Sequence, residues 1–210
     1  RPLTELRTRL DENRAEMERN KSKLQNTYLV QKKLHELTEK SRIYDELEEK
    51  HRAQTARIQA LLARCRDADP AETRNLLKRI LLLGTYIKRS ANLYFLSREY
   101  DCLPQQEFRL TVDEAVRALI ACGTDCGVVY RTTGPMRSTE VVRLLDLLKT
   151  VAEMTIDELH SLFISVSDSA MDLSVECAAD LSPVAAPETT VLREDGLWLI
   201  RTQIGGQNDA

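Results

Sequence analysis

The chain has 210 residues, which suffices for one or two domains with a hydrophobic core. Its 30 lysines and arginines nearly balance 33 aspartates and glutamates, so the net charge of −3 gives no positive field for binding nucleic acid. No run of 18 apolar residues and no secretory signal is present, so we expect no membrane contact in this segment. The first residue, Arg1, already lies within a charged helical pattern. We therefore expect a fragment of a longer protein, whose upstream part could include a membrane region.

Residues 1–66 predict one long helix, because they contain no glycine and Pro2 is their only proline. Apolar side chains recur every seven residues, with a second series three positions later, as in a coiled-coil seam. Polar residues occupy the middle positions of this second series, which should weaken the packing of the seam there. We expect a parallel homodimer along this helix. The predicted interface residues are Leu3, Leu6, Leu10, Met17, Leu24, Leu34, Leu37, Tyr44, Leu47, Ile58 and Leu61.

The heptad series changes phase near residues 28–30. Beyond that point the repeat runs through Leu37, Tyr44 and Ile58 instead of continuing from Leu24. Such a phase change distorts a supercoil locally. It suits a helix that transmits a rotation or shift, although an imperfect structural coiled coil has the same pattern.

A second helix is predicted over about residues 71–98, with Asp69 as N-cap and Pro70 at its first position. Its apolar face is too broad for one neighbouring helix to cover, which favours a dimeric four-helix bundle. Its predicted interface residues are Leu76, Ile80, Leu83 and Ile87. The remaining narrow polar stripe includes Lys88, Arg89 and Asn92. We expect this stripe to face solvent, or to contact the C-terminal domain or a partner protein.

After a linker containing Pro104, residues 106–205 predict a second domain. A short strand at residues 108–110 precedes a helix that Thr111 and Glu114 open as a capping box and Gly123 ends. A second helix is predicted over residues 138–154. Further strands are predicted at residues 126–132, 161–167, 171–178, 189–193 and 197–204. This order predicts an α+β protein: a long coiled-coil helix and helical hairpin in residues 1–98, then an α/β sandwich with one mostly antiparallel sheet and helices on one face.

The five cysteines are scattered along the chain, and only Cys122 and Cys126 lie close in sequence. No histidine is near this pair, which argues against a zinc site and favours reduced, structural cysteines in the cytosol. No paired carboxylates, nucleophile–base set, phosphate-binding loop or metal-ligand cluster is visible. We therefore predict no catalytic, cofactor-binding or metal-binding residue and no cofactor.

The element order, with the segments LLGTYIKRSANLYFLS and LTVDEAVRALIACGTDCGVVYRTTGPM, resembles the transmitter region of bacterial sensor histidine kinases. In that family a dimerising helical hairpin precedes an ATP-binding domain of the GHKL type. The resemblance implies a phosphoacceptor histidine on the first helix. Here Tyr44 stands at that position, before Asp45, and His35 and His51 are nearby alternatives. A tyrosine hydroxyl, with a pKa near 10, is a poor substitute for imidazole.

The resemblance also implies a nucleotide site, and this sequence departs from it. The helix matching VVRLLDLLKTVAEM should carry a glutamate and an asparagine for catalysis and magnesium. It has only Asp146, Glu153 and Thr150 as polar substitutes. Asp180 could correspond to the adenine-binding aspartate, but no glycine occurs between Gly134 and Gly196, so the glycine-rich lid is missing.

These departures predict a pseudokinase: the cytoplasmic, signal-transmitting part of a histidine-kinase-like protein that does not bind ATP. The parent protein could be anchored in a membrane. One alternative is an active histidine kinase with divergent motifs, phosphorylated on His35 or His51. Another is a non-enzymatic coiled-coil scaffold whose C-terminal domain binds a partner.

Overall fold

The structure is a computed structural model that describes the backbone of residues 2–205 and the side chains of residues 13, 14 and 16–205. Its architecture confirms the predicted α+β class: two long helices precede a sandwich of two helices on a five-stranded sheet. The chain divides into two compact units, the first ending at Lys50 and the second beginning at His51. None of the described helices is long and apolar enough to cross a membrane.

The first helix, α1 (Pro2–Arg64), is continuous, as the absence of glycine predicts. In the first unit its seam residues are largely exposed, from 56% for Leu37 to 73% for Leu24, and only Leu47 among them is buried. Exposed leucines at heptad spacing are typical of a helix that lacks its partner. Leu3, Leu6 and Leu10 lie outside the residues whose side chains are described.

The second helix, α2 (Pro70–Glu99), begins as predicted. The Asp69 carboxylate accepts hydrogen bonds from the backbone N–H groups of Ala71 and Glu72, both at 2.8 Å. Pro70 occupies the first helical position, where its missing N–H costs nothing. This cap satisfies donors that a helix N-terminus otherwise leaves to solvent.

The sheet follows the predicted strands closely. Its order is β2 (Asp125–Tyr130), β4 (Ser161–Val166), β5 (Ala170–Glu176), β7 (Leu197–Gln203) and β6 (Thr189–Glu194). β2 pairs in parallel with β4, and every other pair in this sheet is antiparallel. Asp195 and Gly196 form the two-residue loop between β6 and β7, with φ values of 48° and 85°. Positive φ at both positions matches the twist of a tight hairpin.

Two helices cover one face of this sheet: α3 (Gln105–Ala121) and α4 (Ser138–Thr155). Alternate residues of the central strands, such as Ile164, Leu173 and Ile200, are fully buried in the same core as these helices. On the opposite face Phe163 remains 48% exposed. The short strands β1 (Cys102–Leu103) and β3 (Met136–Arg137) form a separate antiparallel ribbon.

The predicted strand at residues 108–110 and the capping box that follows it are wrong. Both lie inside α3, which begins directly after Pro104. Phe108, Thr111 and Val112 share its buried face, and the Thr111 hydroxyl donates to the carbonyl of Glu107 at 2.8 Å. Buried side chains spaced three and four residues apart favour a helix here more strongly than the β propensity of residues 108–110 favours a strand. Gly123, with φ of 92°, follows the helix end as predicted.

Several residues predicted to form a dimer interface are buried within one chain. Leu61, Leu76 and Leu83 form a small core between α1 and α2, with Ile58 and Ile80 at its edge. Ile87 instead packs against the core of the sandwich. Leu61, Leu76 and Leu83 are thus covered within one chain, whereas Ile58, Ile80 and Ile87 are only partly buried.

Candidate functional site

The region that the family resemblance would make a nucleotide site lies between α4 and the segment after β5. The face of α4 that meets the sheet is hydrocarbon. Val141, Leu144, Leu148 and Val151 are all less than 5% exposed and belong to the sandwich core. Such side chains can neither ligate magnesium nor accept a proton.

The polar side chains of α4 are engaged by other protein groups. The carboxylate of Asp146 accepts a hydrogen bond from the Tyr86 hydroxyl at 2.8 Å. Glu153 pairs with Arg57 at 2.9 Å and with Lys149 at 3.2 Å. The Thr150 hydroxyl donates to the carbonyl of Asp146 at 2.8 Å. Asp146 and Glu153 thus contact the preceding helices, whereas the bond of Thr150 stays within α4.

Tyr86 is the centre of this contact. Burial, with the hydrogen bond to the Asp146 carboxylate, raises the pKa of Tyr86 to about 12. The phenol therefore stays protonated and remains a donor at neutral pH. The Lys149 ammonium lies 5.2 Å from the centre of the same ring, which adds a cation–π contact.

Asp180, the candidate adenine-binding residue, is exposed and caps a turn of its own chain. Its carboxylate accepts hydrogen bonds from the hydroxyl and the backbone N–H of Ser182, at 2.6 and 2.9 Å. These bonds hold the pKa of Asp180 below its usual value. The turn at Ser182–Val184 directs Leu181 and Val184 into the sandwich core, where they are 0% and 8% exposed. Apolar side chains of the segment after β5 thus belong to the sandwich core.

The three candidate phosphoacceptors differ in how far their side chains are exposed. Tyr44 is 65% exposed, and His35 is also exposed. His51 is only 5% exposed and packs edge-on against Tyr86, with ring centres 6.1 Å apart. A phosphoryl group could reach the His51 imidazole only after α1 and α2 separate. The residues in the family's phosphoacceptor region are therefore an exposed phenol, an exposed histidine and a buried histidine.

The polar stripe of α2 does not simply face solvent. Lys88 and Asn92 are exposed, but Arg89 is only 5% exposed. The Arg89 guanidinium forms an ion pair with Glu114 of α3, and Lys88 reaches the same carboxylate at 3.1 and 3.2 Å. Hydrogen bonds from Arg89, with a smaller contribution from Lys88, lower the pKa of Glu114 to about 2 although burial opposes the shift. Of the alternatives for this stripe, contact with the C-terminal domain describes Lys88 and Arg89, and exposure to solvent describes Asn92, because α3 covers this side of α2 near Glu114.

Sequence reasoning missed Glu114 and Tyr86 as contact residues. The sequence pattern assigns Glu114 to a capping box, because it predicts that the helix begins at Thr111 and not at Gln105. Once α3 starts at Gln105, Glu114 is an acid in the middle of an amphipathic helix. An acidic residue in the middle of a helix, beside the apolar face, is the sequence signal that such a residue pairs with a cation on another element.

The five cysteines are free thiols. Burial raises the pKa of Cys126 to about 11, and burial also raises the pKa of Cys122 and Cys177. Protonated thiols are poor nucleophiles and poor metal ligands. Among the described residues, no group of three or more histidines, cysteines or acids is arranged to hold a metal ion.

No protein-family model and no curated protein matches the chain. Similar solved structures include the histidine kinase domain of a blue-light activated histidine kinase from Erythrobacter litoralis EL346 (12% identity, TM-score 0.42, covering 71% of this chain and 95% of that one). The histidine kinase AdeS of Acinetobacter baumannii is similar at 15% identity and a TM-score of 0.34, covering 75% and 98%. A bacterial phosphotransferase is similar at 10% identity and a TM-score of 0.39, covering 77% and 91%. These similarities concern the arrangement of helices and strands and say nothing of activity.

Proposed function

We propose that this chain is the cytoplasmic, signal-transmitting part of a histidine-kinase-like protein, and that its ATPase-like domain is a pseudokinase that does not bind ATP. The observation that carries the proposal is that apolar core residues and internally bonded polar groups stand where the family resemblance would need nucleotide ligands. Leu181, next to the candidate aspartate Asp180, is fully buried in the sandwich core, and the Asp180 carboxylate bonds Ser182.

The electrostatics of the region support the same proposal. A bound triphosphate needs backbone N–H donors, cations and a metal ion to balance its charge. Here the candidate aspartate, Asp180, is engaged by Ser182, and the acids of α4 pair with Tyr86, Arg57 and Lys149. Using any of these groups for a nucleotide would leave its present partner uncompensated.

The continuity of the helices supports the transmitting role. α1 runs from the first unit into the second, where residues 51–64 pack against α2. α2 packs in turn against α3 and α4. A rotation or shift of α1 would therefore act on the sandwich through side-chain contacts. In this proposal residues 1–98 form the transmitting and dimerising domain and residues 106–205 the domain that responds.

The active-kinase alternative is less well supported, because His51 is buried and the asparagine and glycines that the family resemblance requires are missing. His35 is exposed and would be its remaining phosphoacceptor. The scaffold alternative agrees with the exposed heptad residues of α1, such as Met17 and Leu24, which any coiled-coil partner could cover.

A thermal-shift titration with magnesium-ATP tests the pseudokinase proposal. A ligand present at a hundredfold excess over its dissociation constant stabilises a folded protein by about 2.7 kcal/mol. We expect no rise in melting temperature with millimolar magnesium-ATP beyond that produced by sodium chloride of equal ionic strength. The Asp180→Asn variant should respond in the same way as the native chain.

A nucleotide-specific rise in melting temperature that Asp180→Asn abolishes would contradict the proposal and favour the active kinase. Incubation with radiolabelled ATP then gives a second measurement. Label on the native chain that is lost in His35→Gln would identify the phosphoacceptor.

A further inference from the structure

At the contact between the helical hairpin and the sandwich, the hairpin contributes cations and the sandwich contributes carboxylates. We define the hairpin as residues 51–64 of α1 together with α2, and the sandwich as residues 102–204. In four ion pairs between these two parts, the cation lies on the hairpin and the carboxylate on the sandwich. The pairs are Arg57 with Glu153, Arg79 with Asp157, and Lys88 and Arg89 with Glu114.

Apolar packing alone does not select the face of α2 that meets the sandwich. Leu76 and Leu83 face α1, and Leu82 faces the sandwich. The neighbouring Leu77 and Leu81 are 50% and 42% exposed.

Tyr86 and Leu93 are also buried in the sandwich core. A rotation by one residue, about 100°, in one direction would bring Thr85 and Asn92 to their places, which apolar packing disfavours. The opposite rotation would bring Ile87 and Tyr94 there at similar apolar burial, so polar contacts must exclude that packing.

Arg89 is the polar residue that depends most on the observed orientation. Its side chain is 6% exposed, whereas those of Arg57 and Arg79 are 49% and 28% exposed. Both the Nε and a terminal nitrogen of the guanidinium bond the Glu114 carboxylate, which is a geometry that fixes direction as well as distance. In a rotated α2, Lys88 or Ser90 would take this position. Arg89 would then lose its counter-ion, or Glu114 its main donor.

We propose that the Arg89–Glu114 pair determines the orientation of α2 on the sandwich, and that the one-sided ion pairs around it exclude the rotated packing of similar apolar burial. Arg89 and Glu114 are positioning residues in this assignment. Buried ion pairs are best established in such a role, because a wrong register leaves a charge buried without its partner. The proposal concerns the folded chain itself and holds whether or not the sandwich binds a nucleotide.

Two native cysteines provide the test, because both are buried in the second unit and only one lies under α2. Cys122 is 4% exposed, lines a groove with Leu77 and Leu81, and its thiol contacts the Lys78 carbonyl at 3.8 Å. Cys177 is 5% exposed and follows β5, where its thiol contacts the Ala179 carbonyl at 3.7 Å. A movement of α2 should expose Cys122 alone, whereas a general loss of stability should expose both.

The experiment measures the alkylation rate of each cysteine by mass spectrometry in the full chain at neutral pH. In Glu114→Gln we expect alkylation of Cys122 to accelerate about tenfold or more, with that of Cys177 within about twofold of the native rate. The double variant Arg89→Glu with Glu114→Arg reverses the pair and should restore slow alkylation of Cys122. Glu72→Gln is the matched control, since it breaks the Arg64–Glu72 pair within the hairpin and should change neither rate.

Arg89→Lys is a second, milder variant should Glu114→Gln fail to fold. Lysine keeps the charge but not the two-nitrogen geometry, so alkylation of Cys122 should accelerate by less than in Glu114→Gln. The proposal is overturned if Cys122 keeps its native rate in both variants. Equal acceleration of Cys122 and Cys177 overturns it as well, because the pair would then contribute only general stability.

Discussion

Arg89 illustrates that residue type and helical position together do not determine whether a side chain is buried. Its place on the polar stripe of α2 was correctly identified, yet the side chain is buried. The reason lies 25 positions along the chain, where Glu114 supplies a carboxylate at the point where α3 covers α2. A buried arginine is tolerable only with such a partner. At the residue scale, burial therefore depends on the neighbour's charge as much as on the residue itself.

The lowered pKa of Glu114 predicts a pH-dependent contribution to stability. A carboxyl group with a folded pKa of about 2, against 4.5 normally, stabilises the fold fully above pH 4.5. This contribution is lost as the pH falls from 4.5 through 2, because the unfolded chain binds the proton first. The difference in free energy of unfolding between the native chain and Glu114→Gln should therefore be constant near neutrality and shrink over that range.

Urea denaturation at pH 7, 5, 4 and 3 measures this difference. Glu72→Gln is the control, because its more exposed pair in the hairpin should give a smaller difference at every pH. A difference between native and Glu114→Gln that does not change with pH would mean that the variant acts through packing and not through charge.

At the scale of elements, α1 is continuous through the phase change near residues 28–30. The mismatch therefore concerns which side chains can face a partner and does not interrupt the helix. Thr27 and Thr38 lie at the two ends of the affected stretch, and their hydroxyls donate to the carbonyls four residues earlier, both at 2.9 Å. Bonds of this kind compete with the helical ladder and often bend helices.

We predict that residues 28–37 are the part of α1 that opens most readily. A stretch with mismatched heptads loses the packing on which helix stability mainly depends. Its amides should exchange hydrogen faster than those of residues 44–61. Replacing Thr27 and Gln31 with leucine should slow exchange in this stretch, whereas the control Ser41→Leu should not.

Equal protection of the two segments in the native chain would contradict a weak point in α1. The phase change would then be a structural irregularity, and a signal passing along the helix would need another place to switch between packings.

At the scale of the whole molecule, the hairpin and the sandwich belong to the same compact unit, while the first unit consists of one helix. A single helix cannot bury its own seam, and Met17, Leu24 and Leu37 are 72%, 73% and 56% exposed. Covering each such side chain is worth about 1.5–3 kcal/mol. The seam of α1 therefore needs a partner to cover these side chains.

We predict a parallel homodimer that depends on the first unit. Light scattering at micromolar concentration should give twice the mass of the chain, and Leu24→Lys with Leu37→Lys should give a monomer. Leu192→Lys is the control, because it introduces the same charge at an exposed position of the sheet. A monomeric native chain would contradict the prediction and leave the seam to a different partner protein.

Local patterns determined most of the elements. The absence of glycine determined α1, Asp69 and Pro70 determined the start of α2, and Asp195-Gly196 determined the β6–β7 hairpin, because each effect acts within a few residues. The start of α3 was missed because Phe108 and Leu110 favour a strand when read alone. The absence of the family's motifs was also readable from the sequence, and the structure shows that Leu181 and Val184 are buried in the sandwich core.

Contacts between distant segments were decided only by the tertiary structure. Periodicity showed that α2 needs cover on several sides, but not that α1 covers Leu76 and Leu83 while the sandwich covers Ile87. In the same way, nothing near Arg89 in sequence indicates Glu114, and nothing near Asp146 indicates Tyr86. The sequence thus determined which surfaces are apolar or charged, because these are properties of single residues and of helical spacing. Which surfaces pair depends on the free energy of the whole packing. Where several arrangements bury similar apolar area, a complementary charge many residues away in sequence selects one of them.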